Sequence, residues 1–361
     1  MSDFPKLFIP GPTHVSGDVL EKLSMPQIGH RTPEISELID FIITGLQEIL
    51  YTKNHIYLVS HAATGLWEMG TKNSVEKGVL HAVNGAFSSK WALSSKLNGF
   101  NLQIVESNWG DRVDVDDVDK YLSSGKFDVF AMVHNETSTG AMSNLSDISN
   151  LLKNKYPDVL WLVDAVSSMA GVKIEVDKLG IDFLLSSTQK AWGLPAGFSI
   201  CSVSDRILKK SESIKNKGYF LDLHTYEKYF LKSQTPTTPS IPHMFGLKYV
   251  IENIKHDGIE NRWNRHIDMA NYVREWTLGH GQTFFTNQNA LSYTLTCIDN
   301  VRNWDINKIN DSLLSKGFRM DRGYGKYKGK AFRIPHMGNI YMSDLKEYLM
   351  NFDEVLCHLK Y

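Results

Sequence analysis

Seven short apolar runs between residues 55 and 203 restrict the fold of this chain more than any other feature of its sequence. Each run is bounded by Gly, Asn, Asp or Ser, and stretches with helical apolar spacing, such as 143–155, lie between them. Continuous apolar runs are typical of strands buried on both faces of a mostly parallel sheet, with helices as the crossovers. The pattern predicts an α/β fold with strands at 56–59, 79–83, 102–105, 129–133, 160–163, 183–185 and 198–203.

The pattern changes near residue 251. The charged amphipathic stretch 252–275 predicts a long helix, and the Pro- and Thr-rich segment 234–242 predicts an extended loop between two units. The later segments are strand-like at 291–298 and 331–334 and helical at 306–316 and 342–359, with a basic, glycine-rich loop before the second strand. This mixture indicates a small α+β domain. We predict a large domain at 16–250 and a small domain at 251–361.

Composition and charge narrow the classes of partner. The chain has 361 residues, 42% of them hydrophobic, and a formal net charge of −1, so no overall field favours nucleic acid or an anionic membrane. No apolar run approaches the roughly 18 residues of a membrane helix, and the first residues do not resemble a signal peptide. The three widely spaced cysteines, Cys201, Cys297 and Cys357, indicate neither a metal site nor a disulfide framework. We therefore expect a protein of the reducing cytoplasm.

Two charged residues follow neighbouring apolar runs. Asp164 ends one run, and Lys190 comes shortly after the next, one strand–helix–strand step later. A partly buried lysine has a lowered pKa and supplies the neutral amine of Schiff-base chemistry, and a buried carboxylate needs a partner such as a pyridinium N–H. Taken singly, Lys190 fits an ordinary surface lysine better, and Asp164 fits a helix N-cap as well as a cofactor contact. The pair at adjoining strand ends favours a pyridoxal-phosphate site.

A run of small residues at 62–65, Ala-Ala-Thr-Gly, follows the first predicted strand. Exposed backbone N–H groups and a threonine hydroxyl at the start of a helix are suited to binding a phosphate. The same residues also fit a plain capped helix.

These motifs, in this order, resemble the class V pyridoxal-phosphate aminotransferases of fold type I. The resemblance covers nearly the whole chain, through 10–13, 29–31, 60–68, 84–87, 136–140, 163–168, 187–192, 234–239 and 329–338. It is strongest to alanine–glyoxylate, serine–pyruvate and serine–glyoxylate aminotransferases, with phosphoserine aminotransferases as near relatives. It implies a large domain with a mostly parallel seven-stranded sheet, a small C-terminal α+β domain and an N-terminal substrate-loop segment at 1–15.

The resemblance also implies roles for cofactor-binding residues. Lys190 forms the Schiff base with pyridoxal 5'-phosphate and moves a proton during catalysis, and Asp164 pairs with the pyridine nitrogen. The other implied contacts are Val166 and Phe87 on the two ring faces, Thr137 at the phenolic oxygen, Ala62, Ala63, Thr64 and Gln189 at the phosphate, and Thr235 and Thr238 at the phosphate of the neighbouring subunit. Shared sites of this kind imply a homodimer.

Four residues are implied at the substrate: Gly11, His30, Arg31 and Arg333. Arg333 matches the arginine that grips the substrate α-carboxylate, for which a planar guanidinium is suited, although a surface arginine is the other interpretation. His30 and Arg31 match a pair that binds the phosphate of phosphoserine from the partner subunit. Equally, they fit a loop pair that stabilises a dimer interface.

The predicted reaction is transfer of an amino group from alanine or serine to glyoxylate or pyruvate. The alternative within the family is phosphoserine with 2-oxoglutarate as acceptor. A lyase such as a cysteine desulfurase needs an exposed, reactive cysteine, whereas Cys297 and Cys357 fall in a strand-like run and a helix. A non-catalytic binding protein is the third alternative, and Lys190, Asp164 and Arg333 together argue against it.

Overall fold

The computed structural model describes residues 4–361. The strands are β1 (Lys6–Phe8), β2 (His55–Val59), β3 (Val79–Val83), β4 (Leu102–Glu106), β5 (Val129–Val133), β6 (Asn135–Glu136), β7 (Ala141–Met142), β8 (Leu160–Asp164), β9 (Phe183–Ser187), β10 (Ser199–Val203), β11 (Thr283–Phe284), β12 (Leu295–Asp299), β13 (Phe318–Met320) and β14 (Ala331–Pro335). The helices are α1 (Gly17–Leu23), α2 (Pro33–Leu50), α3 (Ala63–Ser74), α4 (Ala86–Leu97), α5 (Val115–Leu122), α6 (Leu145–Lys155), α7 (Val176–Leu179), α8 (Asp205–Ser213), α9 (Leu223–Phe230), α10 (Ile241–Asp257), α11 (Ile259–Gly279), α12 (Ile306–Ser315) and α13 (Met342–His358).

A seven-stranded sheet in the order β2-β10-β9-β8-β5-β3-β4 forms the centre of the molecule. Strand β10 runs antiparallel to both of its neighbours, and the other neighbouring strands are parallel. Each of the seven predicted apolar runs matches one of these strands, although Phe198 precedes β10 by one residue, and the predicted α/β fold with a mostly parallel sheet is confirmed. Because β8 and β9 are parallel and in register, with Asp164 opposite Leu185, the polar segments that follow them lie at the same edge.

Helices cover both faces of this sheet. Alternate strand residues belong to two different apolar clusters: Leu58 and Phe130 share one with residues of α2, and Val59 and Val129 share the other with residues of α3. Each fully buried aliphatic or aromatic side chain of this kind contributes about 1.5–3 kcal/mol to folding. The two apolar layers hold the strands rigidly, so their carboxyl ends form a fixed platform for side chains.

The C-terminal part forms a smaller layered unit. Strands β11, β12 and β14 form an antiparallel sheet, and β1 from the N-terminus pairs in parallel with β13. Phe8 of β1 stacks on Tyr348 of α13, with ring centroids 3.9 Å apart. The N-terminal segment therefore packs on the C-terminal unit before it reaches the large sheet. The domain limits 1–15, 16–250 and 251–361 stay a prediction, and residues 1–3 of the first segment lie outside the described residues.

Three predicted elements differ in detail. The helix expected at 252–275 is two helices, α10 and α11, because Gly258 between them has a left-handed φ of 88°. The expected loop 234–242 ends early, since Pro242 lies in the first turn of α10. Proline is tolerated there because the N–H groups of the first turn have no partner within the helix. The strand expected at 291–298 begins only at Leu295, because the backbone N–H groups before it bond elsewhere: that of Thr294 donates to Ser292 Oγ (3.0 Å) and that of Ser292 to Gly140 O (3.1 Å). None of the helices within residues 4–361 combines the length and apolar character needed to span a bilayer.

Candidate active site

Lys190 and Asp164 lie at adjoining strand ends, as their spacing predicted. Asp164 is the last residue of β8, and Lys190 lies three positions beyond the end of β9. The buried Lys190 Nζ donates to the backbone carbonyl of Pro10 (2.6 Å). Burial, with the nearby positive charge of Arg333, lowers the pKa of the Lys190 amine to about 8, although Asp164 partly offsets this shift. A neutral amine is therefore accessible near neutral pH.

Asp164 is a buried carboxylate held by neutral donors. Trp67 Nε1 donates to Oδ2 (2.6 Å), and the backbone N–H of Val166 donates to Oδ1 (2.8 Å). Burial raises the pKa of Asp164 to about 6 even though both hydrogen bonds favour the charged form. A carboxylate in this state is ready to accept a cationic N–H partner such as a pyridinium.

Gly11 lies directly against the lysine side chain. Its φ is 148°, and a Cβ at this position would lie 2.1 Å from Lys190 Nζ, so any other residue would displace the amine. The following segment is fixed to the same loop, because the Thr13 N–H and hydroxyl donate to Gln189 O (3.0 Å) and Lys190 O (3.1 Å). The N-terminal segment thus forms one wall of the site.

A cavity of about 690 Å³ opens above these strand ends. Ten residues predicted to bind cofactor or substrate line it: Gly11, Ala62, Ala63, Thr64, Phe87, Thr137, Asp164, Val166, Gln189 and Lys190. The size is within the usual range for sites that bury a small organic ligand. The structure therefore brings most of the predicted residues together.

The N-terminus of α3 points to one end of the cavity without a side-chain cap. Its N-cap residue, Ala62, has no side-chain oxygen to accept the first N–H groups of the helix. Exposed N–H groups, the helix dipole and the hydroxyl of the lining Thr64 suit a phosphate. Gln189 also lines the cavity, and because its Oε1 accepts from Ser187 Oγ (2.5 Å), its amide nitrogen is directed away from that contact.

Phe87 is positioned by a buried glutamate that the sequence did not single out. Glu136, fully buried, accepts the backbone N–H groups of Phe87 (3.1 Å) and Ser88 (2.9 Å) at the start of α4. It also accepts the hydroxyl of Ser138 (2.6 Å). This carboxylate fixes the first turn of α4, and with it the ring of Phe87 at the cavity wall. Its place just after a buried strand, in the motif 136–140, was the available signal.

Arg333 is not among the residues that line the cavity, but it contacts one of them. Its Nη1 donates to the backbone carbonyl of Thr137 (2.8 Å), a lining residue whose hydroxyl contacts Ser167 Oγ (2.5 Å). The guanidinium also forms two hydrogen bonds with Asp321, from Nε (2.9 Å) and Nη2 (2.7 Å). The surface-arginine interpretation is wrong, since only 7% of the Arg333 side chain is exposed.

The remaining predicted residues lie away from this cavity. Arg31 donates to Thr235 O (2.8 Å) and stacks on the ring of Tyr229. His30 is half-buried, Thr238 is exposed, and Thr235 is buried with its hydroxyl on Thr237 O (2.8 Å). These four residues do not line the cavity of their own chain, so their predicted roles depend on a second copy.

The residues around the cavity fit pyridoxal phosphate. They supply an amine of lowered pKa, a buried carboxylate, an apolar ring and an uncapped helix N-terminus. By contrast, a reactive cysteine is missing from the site: Cys297 is buried, which raises the pKa of its thiol to about 12. Cys357 is exposed, but it lies in the terminal helix α13.

Comparison with known proteins gives one family. The aminotransferase class-V family matches residues 32–323. An uncharacterized aminotransferase of Methanocaldococcus jannaschii is 34% identical over 342 residues, covering 92% of this chain and 87% of the relative. A serine–glyoxylate aminotransferase of Arabidopsis thaliana is 29% identical, covering 98% and 91%. The crystal structure of an alanine–glyoxylate aminotransferase from Nostoc sp. superposes with a TM-score of 0.92 at 26% identity, covering 99% and 96%.

Proposed function

The chain belongs to the class V aminotransferases, which are pyridoxal-phosphate enzymes, and we propose that it moves an amino group from alanine or serine to glyoxylate or pyruvate. The observation that carries the proposal is the cavity at the strand ends, where Lys190 and Asp164 meet. The serine– and alanine–glyoxylate relatives support small donors.

Bound pyridoxal phosphate supplies an aldehyde for the amine and a ring that withdraws electrons from the substrate Cα. Lys190 holds the cofactor through its amine and moves the proton at the substrate Cα, for which a pKa near 8 is suited. The negative charge of Asp164 stabilises a proton on the pyridine nitrogen. Trp67 keeps that carboxylate in place through its indole N–H.

The other lining residues bind and orient the cofactor. Ala62, Ala63, Thr64 and Gln189 hold the phosphate at the start of α3. Phe87 and Val166 cover the two ring faces and exclude water, and Thr137 donates to the phenolic oxygen.

Substrate binding uses residues from both ends of the chain. Arg333 binds the α-carboxylate of the substrate at the side of Thr137, and Gly11 leaves room for the substrate beside the lysine amine. We propose that Thr235, Thr238, His30 and Arg31 complete the site of a second copy in a homodimer. The support is that all four lie away from the cavity of their own chain. The unpaired cysteines favour a reducing cytoplasm.

A donor with an anionic side chain, such as phosphoserine, is the second candidate. Lys90 lines the same cavity and donates to Tyr324 Oη (2.6 Å), which places a positive charge at its rim. His30 and Arg31 of a second copy would add to this charge. Selectivity of this kind depends on contacts of about 1–3 kcal/mol each.

A donor panel tests the proposal. Alanine, serine, aspartate and phosphoserine are each mixed with the holoenzyme, and loss of the absorbance band of the lysine-bound cofactor is followed. We expect fast loss with alanine or serine, recovered by glyoxylate or pyruvate. Fast loss with phosphoserine alone, recovered by 2-oxoglutarate, would replace the first candidate with the second, and a band that no donor changes would contradict both.

A further inference from the structure

The carboxylate of Asp321 occupies one whole edge of the Arg333 guanidinium. Oδ1 accepts from Nε (2.9 Å) and Oδ2 accepts from Nη2 (2.7 Å), and both side chains are about one-tenth exposed or less. We propose that Asp321 is a positioning residue that leaves only the opposite, terminal-nitrogen edge of Arg333 for the substrate carboxylate. The inference rests on the proposed role of Arg333.

The N–H groups of the Arg333 guanidinium that have no partner show which edge is left for a carboxylate. A guanidinium carries five N–H groups, one on Nε and two on each terminal nitrogen. Asp321 takes one from Nε and one from Nη2, and the carbonyl of Thr137 takes one from Nη1 (2.8 Å). One N–H is left on each terminal nitrogen. A carboxylate can therefore bind only at the terminal nitrogens, whereas a side-on grip through Nε has no free donor.

Asp321 cannot easily give way to the substrate. Its Oδ1 also accepts the backbone N–H groups of Gly323 (2.9 Å) and of Arg333 itself (3.1 Å), so the carboxylate is bound to the main chain on both sides. Gly323 has a φ of 88°, and a Cβ there would lie 2.1 Å from Ala331 O, which makes this a tight turn. The turn fixes the carboxylate, and the carboxylate fixes the guanidinium.

The ion pair also changes what Arg333 contributes to binding. Because Asp321 balances its charge at contact distance, Arg333 discriminates by the direction of its two free N–H groups more than by net attraction. Tyr324 lies beside the guanidinium, with its ring centroid 5.3 Å from Cζ, and limits approach to that face. The site therefore favours donors whose α-carboxylate lies in one orientation relative to the amine, as proton removal at Cα requires.

Two matched probes isolate this grip. Aminooxyacetate and O-methylhydroxylamine share the same aminooxy nitrogen, which replaces the Lys190 amine on the cofactor carbonyl carbon, but only aminooxyacetate carries a carboxylate. The original holoenzyme, Asp321→Asn and the control Asp353→Asn are treated with each probe. The limiting first-order rate at which the absorbance band of the lysine-bound cofactor disappears is measured. Asp353 is a suitable control because it binds Trp276 (2.7 Å) in the same C-terminal part of the chain, outside the residues that line the cavity.

We expect the limiting rate with aminooxyacetate to fall at least about tenfold in Asp321→Asn. The amide nitrogen of asparagine cannot accept from Nη2, so the guanidinium is no longer held in the same orientation. The rate with O-methylhydroxylamine should stay within about twofold, and Asp353→Asn should match the original protein with both probes. A loss of rate with both probes, or with neither, would overturn the inference. If the original protein itself shows no preference for aminooxyacetate, the proposed role of Arg333 fails, and the inference fails with it.

A crystal structure of the unaltered holoenzyme with aminooxyacetate keeps the inference testable if Asp321→Asn does not fold. The expected result is a probe carboxylate on Nη1 and Nη2 with both Asp321 contacts intact. A probe carboxylate bound to Nε in place of Asp321 would overturn it.

Discussion

The two charged pairs near the cavity are built in opposite ways. Lys190 and Asp164 are buried with neutral partners, a carbonyl for the amine and N–H groups for the carboxylate, and their pKa values shift to about 8 and about 6. Arg333 and Asp321 are buried against each other through two hydrogen bonds. A buried charge without an ionic partner remains able to take a new one, whereas a paired charge is held in one place. The first pair is therefore suited to holding a cofactor and the second to orienting a substrate.

Removal of the lysine amine should give the largest effect. Lys190→Ala removes both the covalent anchor of the cofactor and the proton carrier, so kcat should fall by at least about 10⁴-fold. Lys90→Ala is the matched control, because Lys90 lines the same cavity and should not be needed for the chemistry. Steady-state transamination of alanine and serine measures both variants. Retention of more than about a tenth of the rate by Lys190→Ala would contradict the assignment.

The pH at which the cofactor binds covalently should show the lowered lysine pKa. The absorbance band of the lysine-bound cofactor forms from apoprotein and pyridoxal phosphate at a rate that depends on the neutral Lys190 amine. The fraction of neutral amine increases as pH rises through the pKa. Since burial lowers the pKa of Lys190 from 10.5 to about 8, the rate should rise with a midpoint near pH 8. The shift corresponds to roughly 300-fold in proton affinity. A midpoint near pH 10 would mean that the amine is exposed in solution.

Asp164→Asn should make the free energy of unfolding of the apoprotein less dependent on pH. The folded protein holds the Asp164 proton up to a pKa of about 6, against 3.8 ordinarily, so ionisation destabilises the folded form as pH rises through this interval. The free energy of unfolding should therefore fall between pH 4 and pH 7 by up to about 3 kcal/mol more in the original protein than in the variant. Denaturant unfolding at the two pH values measures the difference. If the free energy of unfolding of the two proteins depends on pH in the same way, burial does not raise the pKa of Asp164.

Arg333→Lys should give the smallest of these effects, because it keeps the charge and removes only the planar fork. We expect kcat/KM for alanine and serine to fall by about 10- to 100-fold, the loss expected from one or two hydrogen bonds to a charged group. Arg322→Lys is the control, since Arg322 is a half-buried arginine next to Asp321 in sequence and its guanidinium contacts Asn307. Equal losses in both variants would mean that a general disturbance of this part of the chain, and not the Arg333 guanidinium, is responsible.

The sequence predicted those parts of the fold and site that follow from local patterns. The seven strands were visible because both faces of the sheet are buried, and parallel pairing then brought Asp164 and Lys190 to one edge. The break at Gly258 was missed because the apolar spacing continues through it, although the glycine itself was a signal.

Partners distant in sequence could not be predicted. Trp67 reaches Asp164 across 97 positions, and Arg333 contacts Thr137 across 196, so neither contact leaves a local pattern. Asp321 is closer to Arg333 in sequence, yet it reads as one more charge in a polar, glycine-rich loop. Only the turn at Gly323 brings its carboxylate back onto the guanidinium. The roles given to the individual site residues stay predictions.

Borohydride reduction of the holoenzyme shows which lysine holds the cofactor. The protein is loaded with pyridoxal phosphate, reduced, digested and sequenced by mass spectrometry, with Lys190→Ala and Lys90→Ala treated alongside. We expect the pyridoxyl-phosphate group on Lys190, with none in Lys190→Ala and an unchanged label in Lys90→Ala. A label on Lys90 or on scattered surface lysines, or a protein that takes up no cofactor, would contradict this expectation.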